Sequence, residues 1–360
     1  MQEVAAKLGE RCGVASAWPQ EPGPEAERAA WGALAKVGLI AVAAPVEYGG
    51  SGGSALDHAV VVEQLGFGLV PGPLYGAAYL AVPALSRAGT QLAAELSASL
   101  ASGDRVVVLA DAGGSRQVTA DERGRLSGSV AQFVDAQHAD ILLVSAETPN
   151  GMAVYATSGG ERAPLTTMDL TRGQSRVVFD AVEAELVCGP ETAPAVLAAA
   201  RLYACVMLAA ESVGLAGHLL AQSVEHAKVR RQFGQPIGAF QAVKHRLADM
   251  LVHVELARSC AYAAAWALSS DDDQAEALAS QAKALCTDSA YEVGAGALQL
   301  HGGSGFTWEN PAHLYYKRAV ANRLFLGSPS QHRDLLVGAV IESRARTGDL
   351  SVAGLTEVPR

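Results

Sequence analysis

The chain has 360 residues, half of them hydrophobic and 18% charged, enough for two to three domains with a large buried core and too apolar for disorder. Lys plus Arg number 27 against 37 for Asp plus Glu, and the net charge of −10 argues against broad binding to nucleic acid or an anionic membrane, which needs clustered cations. The five cysteines (Cys12, Cys188, Cys205, Cys260 and Cys286) are scattered without a Cys-x-x-Cys pair, so they read as small core residues in a reducing cytosol, not as a disulfide framework or zinc site.

The N-terminus soon reaches Gly9-Glu10-Arg11 and offers no apolar core of a signal peptide, which sets the expectation of a cytoplasmic protein. The first hundred residues read as helical. Residues 29–37 are helix-compatible and Gly38 stops them; Pro45 with Gly49, Gly50, Gly52 and Gly53 then makes a turn-rich loop. Asp57 is the expected cap of the next helix, which carries Val61, Val62 and Leu65 and is closed by Gly66.

The texture changes near residue 104. Short apolar or β-branched runs at 105–110, 126–130, 141–144, 152–155 and 176–179 predict a β-sandwich or barrel segment that ends near Glu185. Long helical runs follow. The first covers 193–229; Arg201 interrupts its most apolar part and Glu211 follows it, which predicts a buried helix and not a membrane span. The second covers 240–268, with Val243, Leu247, Met250 and Val254 on one stripe. Asp271-Asp272-Asp273 reads as a solvated loop and helix cap. A third run ends near Leu300, and two more helices are expected over 311–321 and 329–343. The plan is therefore helical (1–103), β (104–190) and helical again (191–360).

Two segments carry chemistry. In Arg230-Arg231-Gln232-Phe233-Gly234-Gln235-Pro236 a long helix ends in two arginines and a Gly/Pro turn follows. The planar fork of arginine suits a diphosphate, and Phe233 offers a face for a base ring. The same residues are also compatible with arginines that complement the helix dipole and a phenylalanine in the core. In Gln299-Leu300-His301-Gly302-Gly303-Ser304-Gly305-Phe306-Thr307-Trp308, three glycines within four positions let a ligand approach the backbone, and Gln299 adds a neutral donor and acceptor.

Together, in this order and spacing, these segments resemble the acyl-CoA dehydrogenase family. The loop from Pro45 to Gly50, Glu63-Gln64-Leu65-Gly66 and Met168-Asp169-Leu170-Thr171 resemble it too. The resemblance covers nearly the whole chain. It implies an N-terminal helical domain, a middle β domain (sandwich or barrel) and a C-terminal four-helix bundle, with FAD bound between subunits. It also implies that Arg230, Gln232 and Phe233, with Gln299, Gly302 and Gly303, reach across to a neighbouring subunit's FAD: Arg230 to the diphosphate, Phe233 packed on the cofactor, and the glutamine and glycine turn beside the diphosphate and adenosine part.

The same resemblance exposes departures. Family enzymes take the α-proton of an acyl-CoA thioester with a glutamate, because that proton is poorly acidic and needs a carboxylate in a dry pocket. Counting forward from Gln299, the glutamate position is Leu326; the alternative position, on the helix before the arginine turn, is Ala204, flanked by Tyr203 and Cys205. No catalytic residue is therefore assigned. The middle-domain loop that cradles flavin in the family is shortened here to Asp111-Ala112-Gly113-Gly114-Ser115-Arg116, and in Phe133-Val134-Asp135-Ala136 an aspartate replaces the family's threonine.

The losses are one-sided, so the chain resembles the base-less member of paired actinobacterial α2β2 acyl-CoA dehydrogenases. That implies a paralogous subunit as partner, an acyl-CoA substrate (with a link to steroid side chains) and an electron-transfer flavoprotein as acceptor. Two other readings stand beside it: a self-sufficient flavoenzyme using Asp135, Asp111 or Glu211 as a displaced base, and a non-catalytic scaffold. His301 beside the glycine turn and His332 near Leu326 are secondary candidates for ligand contact and for a surrogate base.

Overall fold

The computed structural model describes residues 1–14, 24–110 and 118–347; Asp111 and the loop around it lie outside the described residues. The N-terminal helices are α1 (Gln2–Cys12), α2 (Pro24–Lys36), α3 (Ala55–Gly68), a π-helical turn (Leu74–Ala81) that runs directly into α4 (Val82–Ala88), and α5 (Gln91–Ala101). Ser54, not Asp57, caps α3. The Ser54 hydroxyl accepts from the Asp57 N–H at 3.1 Å, and the Asp57 carboxylate accepts from the Ser54 N–H at 2.8 Å. This reciprocal box satisfies two orphan donors, which a lone aspartate cap cannot do.

Gly66 does not end α3 either. The helix continues to Gly68, and Leu69 closes it in a left-handed conformation with its N–H on the carbonyls of Gly66 and Leu65. Gly66 serves a crossing instead: a Cβ there would lie 2.4 Å from the Glu211 carbonyl oxygen, and one at Gly214 would lie 2.0 Å from the Glu63 carbonyl oxygen. Only paired glycines let these two backbones approach so closely.

Eight strands follow: β1 (Val107–Leu109), β2 (Val118–Ala120), β3 (Leu126–Val134), β4 (Ile141–Thr148), β5 (Gly151–Thr157), β6 (Glu161–Pro164), β7 (Gln174–Val182) and β8 (Glu185–Cys188). They form one hydrogen-bonded path in the order β6-β7-β3-β2-β4-β5-β8, with β1 parallel to β4. Among the described residues the terminal strands β6 and β8 do not pair with each other, so hydrogen bonding there leaves the sheet open, not closed as a barrel. The β region reaches Cys188, past Glu185. Sequence reading missed β2, β6 and β8, which are three or four residues long; β2 lies inside the sheet between β3 and β4, while β6 and β8 are its ends, and β6 ends in Pro164 as edge strands can.

The C-terminal part comprises α6 (Ala193–Val229), a hairpin of two-residue strands β9 (Arg231–Gln232) and β10 (Gln235–Pro236), α7 (Gln241–Ser269), α8 (Ala275–His301), α9 (Ala312–Leu324) and α10 (Pro329–Thr347). α8 packs on α6, α7, α9 and α10. α6 has the length and hydropathy of a membrane span. Its apolar stretch is nevertheless core, since Val206, Met207, Leu208, Ala209 and Ala210 are all 0% exposed.

Four buried charges lock the sheet to the bundle. Arg172, in the β6–β7 connection, donates to both carboxylate oxygens of Glu211 on α6 at 2.9 and 2.7 Å, and to the Asn322 side-chain oxygen on α9 at 2.7 Å. Arg318 on α9 donates to Glu211 at 2.9 Å and to Asp169 at 2.7 Å. Asp169 also accepts from the Thr171 N–H at 2.9 Å. Burial raises the Glu211 pKa, but Arg172 and Arg318 outweigh it and hold the carboxyl at about 2.

Removing one partner leaves a buried charge uncompensated. Glu211→Gln is therefore expected to lower the unfolding free energy at pH 7 by about 3 kcal/mol in urea titrations. A depressed carboxyl pKa gives stability that is present above its unfolded value and lost as pH falls. The parent should accordingly lose its advantage over the variant between about pH 4.5 and about pH 2. A difference below about 1 kcal/mol at pH 7 would contradict this role.

Candidate active site

The two chemistry-bearing turns lie at one end of the bundle. His226, in the last turns of α6, packs its ring 4.3 Å from that of His301 at the end of α8. Gln222 on α6 donates to the Asn310 side-chain oxygen at 3.1 Å. The hairpin after α6 and the glycine turn after α8 are thus neighbours. Phe233 and Gly234 form the hairpin tip with φ of 51° and 82°. A left-handed phenylalanine is strained, and the ring is 92% exposed, so the reading of Phe233 as a core residue fails. Arg231 spends a donor on the Gly234 carbonyl at 3.0 Å, and the Gln232 amide donates to the Arg231 carbonyl at 2.8 Å. Arg230 is exposed at the end of α6.

At the second turn Gln299 is exposed, and Gly302 (φ 62°) ends α8. A Cβ at Gly302 or Gly303 would meet nothing within 4 Å, so the backbone there lies open. Phe306 and Trp308 beside it are 69% and 49% exposed, an aromatic patch that sequence reading did not single out. The donor set of one guanidinium, two amides and an open glycine backbone, beside an outward ring, fits a dinucleotide with a diphosphate. His301 is buried beneath the turn, and burial pushes its pKa down to about 4, so it is a neutral packed side chain at pH 7.

Both positions where the family resemblance expects a base are closely packed. Leu326 is 6% exposed, and the preceding Phe325 stacks on Tyr75 at 5.0 Å. The Arg172 guanidinium lies over both rings, 5.3 and 5.6 Å from their centres. Lys283, fully buried on α8, donates to the Gly327 carbonyl at 3.0 Å, and His332 pairs with the Leu326 carbonyl at 3.1 Å. These two side chains fix the loop, which leaves His332 as a positioning group. Burial brings Lys283 down to about 8. Sequence reading missed Lys283; the available signal was a lone cation among alanines on α8.

At the alternative position Ala204 is fully buried, and its neighbour Tyr203 bonds through its hydroxyl to His58 Nδ1 at 2.6 Å. Glu211 has both oxygens engaged by arginines and cannot accept a substrate proton near neutral pH. Asp135, in a left-handed conformation (φ 63°) at the end of β3, turns inward and accepts from the Gly76 N–H at 2.8 Å. It anchors the π-helical turn. Burial pushes its pKa up to about 6, against the pull of Arg172.

A carboxyl raised in the folded state makes ionisation costly, so stability falls as pH rises from about 3.8 to about 6. Asparagine keeps the acceptor and tolerates positive φ. Asp135→Asn is therefore expected to stabilise the chain by roughly 1–2 kcal/mol at pH 8 and by much less at pH 4. Equal effects at both pH values in urea titrations would rule this out.

Comparisons with known proteins agree with this geometry. The acyl-CoA dehydrogenase N-terminal domain family matches residues 2–104, and the C-terminal domain family matches residues 196–341. The acyl-CoA dehydrogenase IpdE2 of Mycobacterium tuberculosis is 35% identical over 344 residues, covering 92% of this chain and 96% of the relative. The acyl-CoA dehydrogenase FadE34 of the same organism is 35% identical over 312 residues, 86% of this chain but 41% of FadE34. The ChsE4-ChsE5 complex from M. tuberculosis superposes with a TM-score of 0.80 at 27% identity, over 94% of this chain and 98% of the matched one. The G363A variant of the Tcur3481-Tcur3483 steroid ACAD superposes at 0.83 and 28%, over 96% and 97%. The chain belongs to the acyl-CoA dehydrogenase family, a family of FAD-binding oxidoreductases.

Proposed function

We propose that this chain is the subunit of a paired acyl-CoA dehydrogenase that lacks the catalytic glutamate and completes the FAD site of a paralogous subunit. One contrast carries the reading: both family base positions, Leu326 and Ala204, are buried aliphatics, while the clamp residues face outward. In this assembly Arg230 holds the diphosphate, Gln232 and Gln299 supply amide contacts, the Gly302-Gly303 backbone approaches the dinucleotide, and Phe233 packs against it. FAD, when bound, supplies the hydride acceptor for α,β-desaturation. The α-proton is taken by the partner's carboxylate, because this chain's buried carboxyls are committed to its own fold.

The similarity to chains named in pairs, ChsE4-ChsE5 and Tcur3481-Tcur3483, supports an unlike partner, and the steroid name of the latter supports a steroid-derived acyl-CoA substrate. An electron-transfer flavoprotein is the acceptor that the family resemblance implies. The reading places the pair in the cytoplasm and keeps three structural segments, 1–103, 104–190 and 191–360.

Co-expression with the paralogue should yield a yellow complex with one FAD per pair that desaturates acyl-CoA. Without a positioned base, the chain alone should fall short of the complex by roughly 10²–10⁴ in rate. Arg230→Ala and Phe233→Ala should each lower retained FAD several-fold while leaving the unfolding midpoint of the isolated chain unchanged, since both side chains are exposed. Stoichiometric FAD and turnover by the chain alone would overturn the pairing, and unaltered FAD in an Arg230→Ala complex would favour a scaffold.

A further inference from the structure

The cysteines are scattered in sequence, but the fold brings two of them together. α7 ends at Ser269 and α8 begins at Ala275, so the short connection makes them antiparallel neighbours and sets position 286 opposite position 258. Cys286 on α8 is fully buried, and its thiol donates to the Ala257 carbonyl of α7 at 3.2 Å. Cys260 stands one turn further along α7, half-buried, and packs against the core cluster that contains Cys286. The two thiols also hydrogen-bond to each other across the helix interface. Side chains that meet in this way satisfy the first condition for a disulfide, that the two Cβ vectors converge.

The pair is unequal, and the inequality suits a stepwise reaction. The hydrogen bond from Cys286 holds the Cys260 thiol below its ordinary pKa, whereas burial pushes the Cys286 thiol up. Lys283, one turn before Cys286 on α8, adds a nearby positive charge. Thiolate character and access together decide which cysteine reacts, and Cys260 has both. Cys286 is sealed from solvent and placed to follow.

We propose that Cys260 and Cys286 form an oxidation site that takes a hydroperoxide as substrate and closes into a disulfide between α7 and α8. The Cys260 thiolate attacks one oxygen of the peroxide; an S–O bond forms, the O–O bond breaks, and hydroxide leaves to become water. Cys260 is then a sulfenic acid, oxidised by two electrons. The Cys286 sulfur attacks the Cys260 sulfur; the S–S bond forms, the S–O bond breaks, and the departing hydroxide takes the Cys286 proton as a second water. In a reducing compartment the bond is transient and reverts by thiol exchange. It ties the helix that follows the arginine hairpin to the helix that precedes the glycine turn. No clamp residue takes part, so the site stands or falls apart from the cofactor reading.

The test treats the reduced full-length chain with hydrogen peroxide, blocks remaining thiols with iodoacetamide and maps the peptides by mass spectrometry without reduction. A Cys260–Cys286 linked pair should accumulate, lighter by two hydrogen atoms than the free peptides, and dithiothreitol should dissolve it. Cys260 should be consumed roughly tenfold faster than Cys12, the other half-buried cysteine. Cys286→Ser should leave Cys260 as a sulfenic acid that dimedone traps, and Cys260→Ser should leave Cys286 unreacted. Arg230→Ala should leave the linkage unchanged. Three results would each overturn the proposal, and none needs a variant: Cys260 reacting no faster than Cys12, Cys286 linked to Cys205 instead, or Cys260 passing to sulfinic acid with no linked peptide.

Discussion

The quartet Arg172, Glu211, Arg318 and Asp169 is the constraint on which the rest of the molecule depends. Each side chain is at most 3% exposed, and each charge is matched by an opposite one within 3 Å. Removing four charges from water is costly, and a well-packed apolar cluster of the same volume can be equally stable. What the quartet adds is geometry. Arg172 comes from the β6–β7 connection, Glu211 from α6 and Arg318 from α9, so the network fixes how the β part meets the bundle. The outer face of Arg172 then lies against Tyr75 and Phe325, which ties the π-helical turn and the loop before Leu326 to the same cation.

That loop is where relatives of this chain would carry a base. Here its carbonyls are held by Lys283 and His332, its side chain is an aliphatic in the core, and the nearby carboxyls are spent on an arginine pair and on the Gly76 N–H. The carboxyls nearest this loop are engaged by groups of the chain itself. The opposite economy governs the clamp end. There the backbone is strained at Phe233 to hold a ring in solvent, and glycines leave space that side chains could fill. Strain and exposed apolar area persist where something outside the chain makes use of them.

The sequence by itself determined the three-part plan and the full extent of α6, because helical periodicity, glycine and proline are local signals, whereas the pairing of the arginine and glycine turns came from the family resemblance. It also shows that the two positions where the family resemblance expects a base hold Leu326 and Ala204, neither of which can accept a proton. Tertiary structure decided what local signals cannot carry. Ser54 outcompetes Asp57 as a cap only through a reciprocal bond, and Gly66 ends nothing because its role is set by a helix 145 positions later, at Glu211. Three strands too short for a pattern exist because neighbours pair with them. No local pattern marks Arg172 and Arg318, which lie 146 positions apart and which the fold brings onto one glutamate. Buried electrostatics depend on which distant groups share a dry volume, and that is a property of the packed chain, not of any stretch within it.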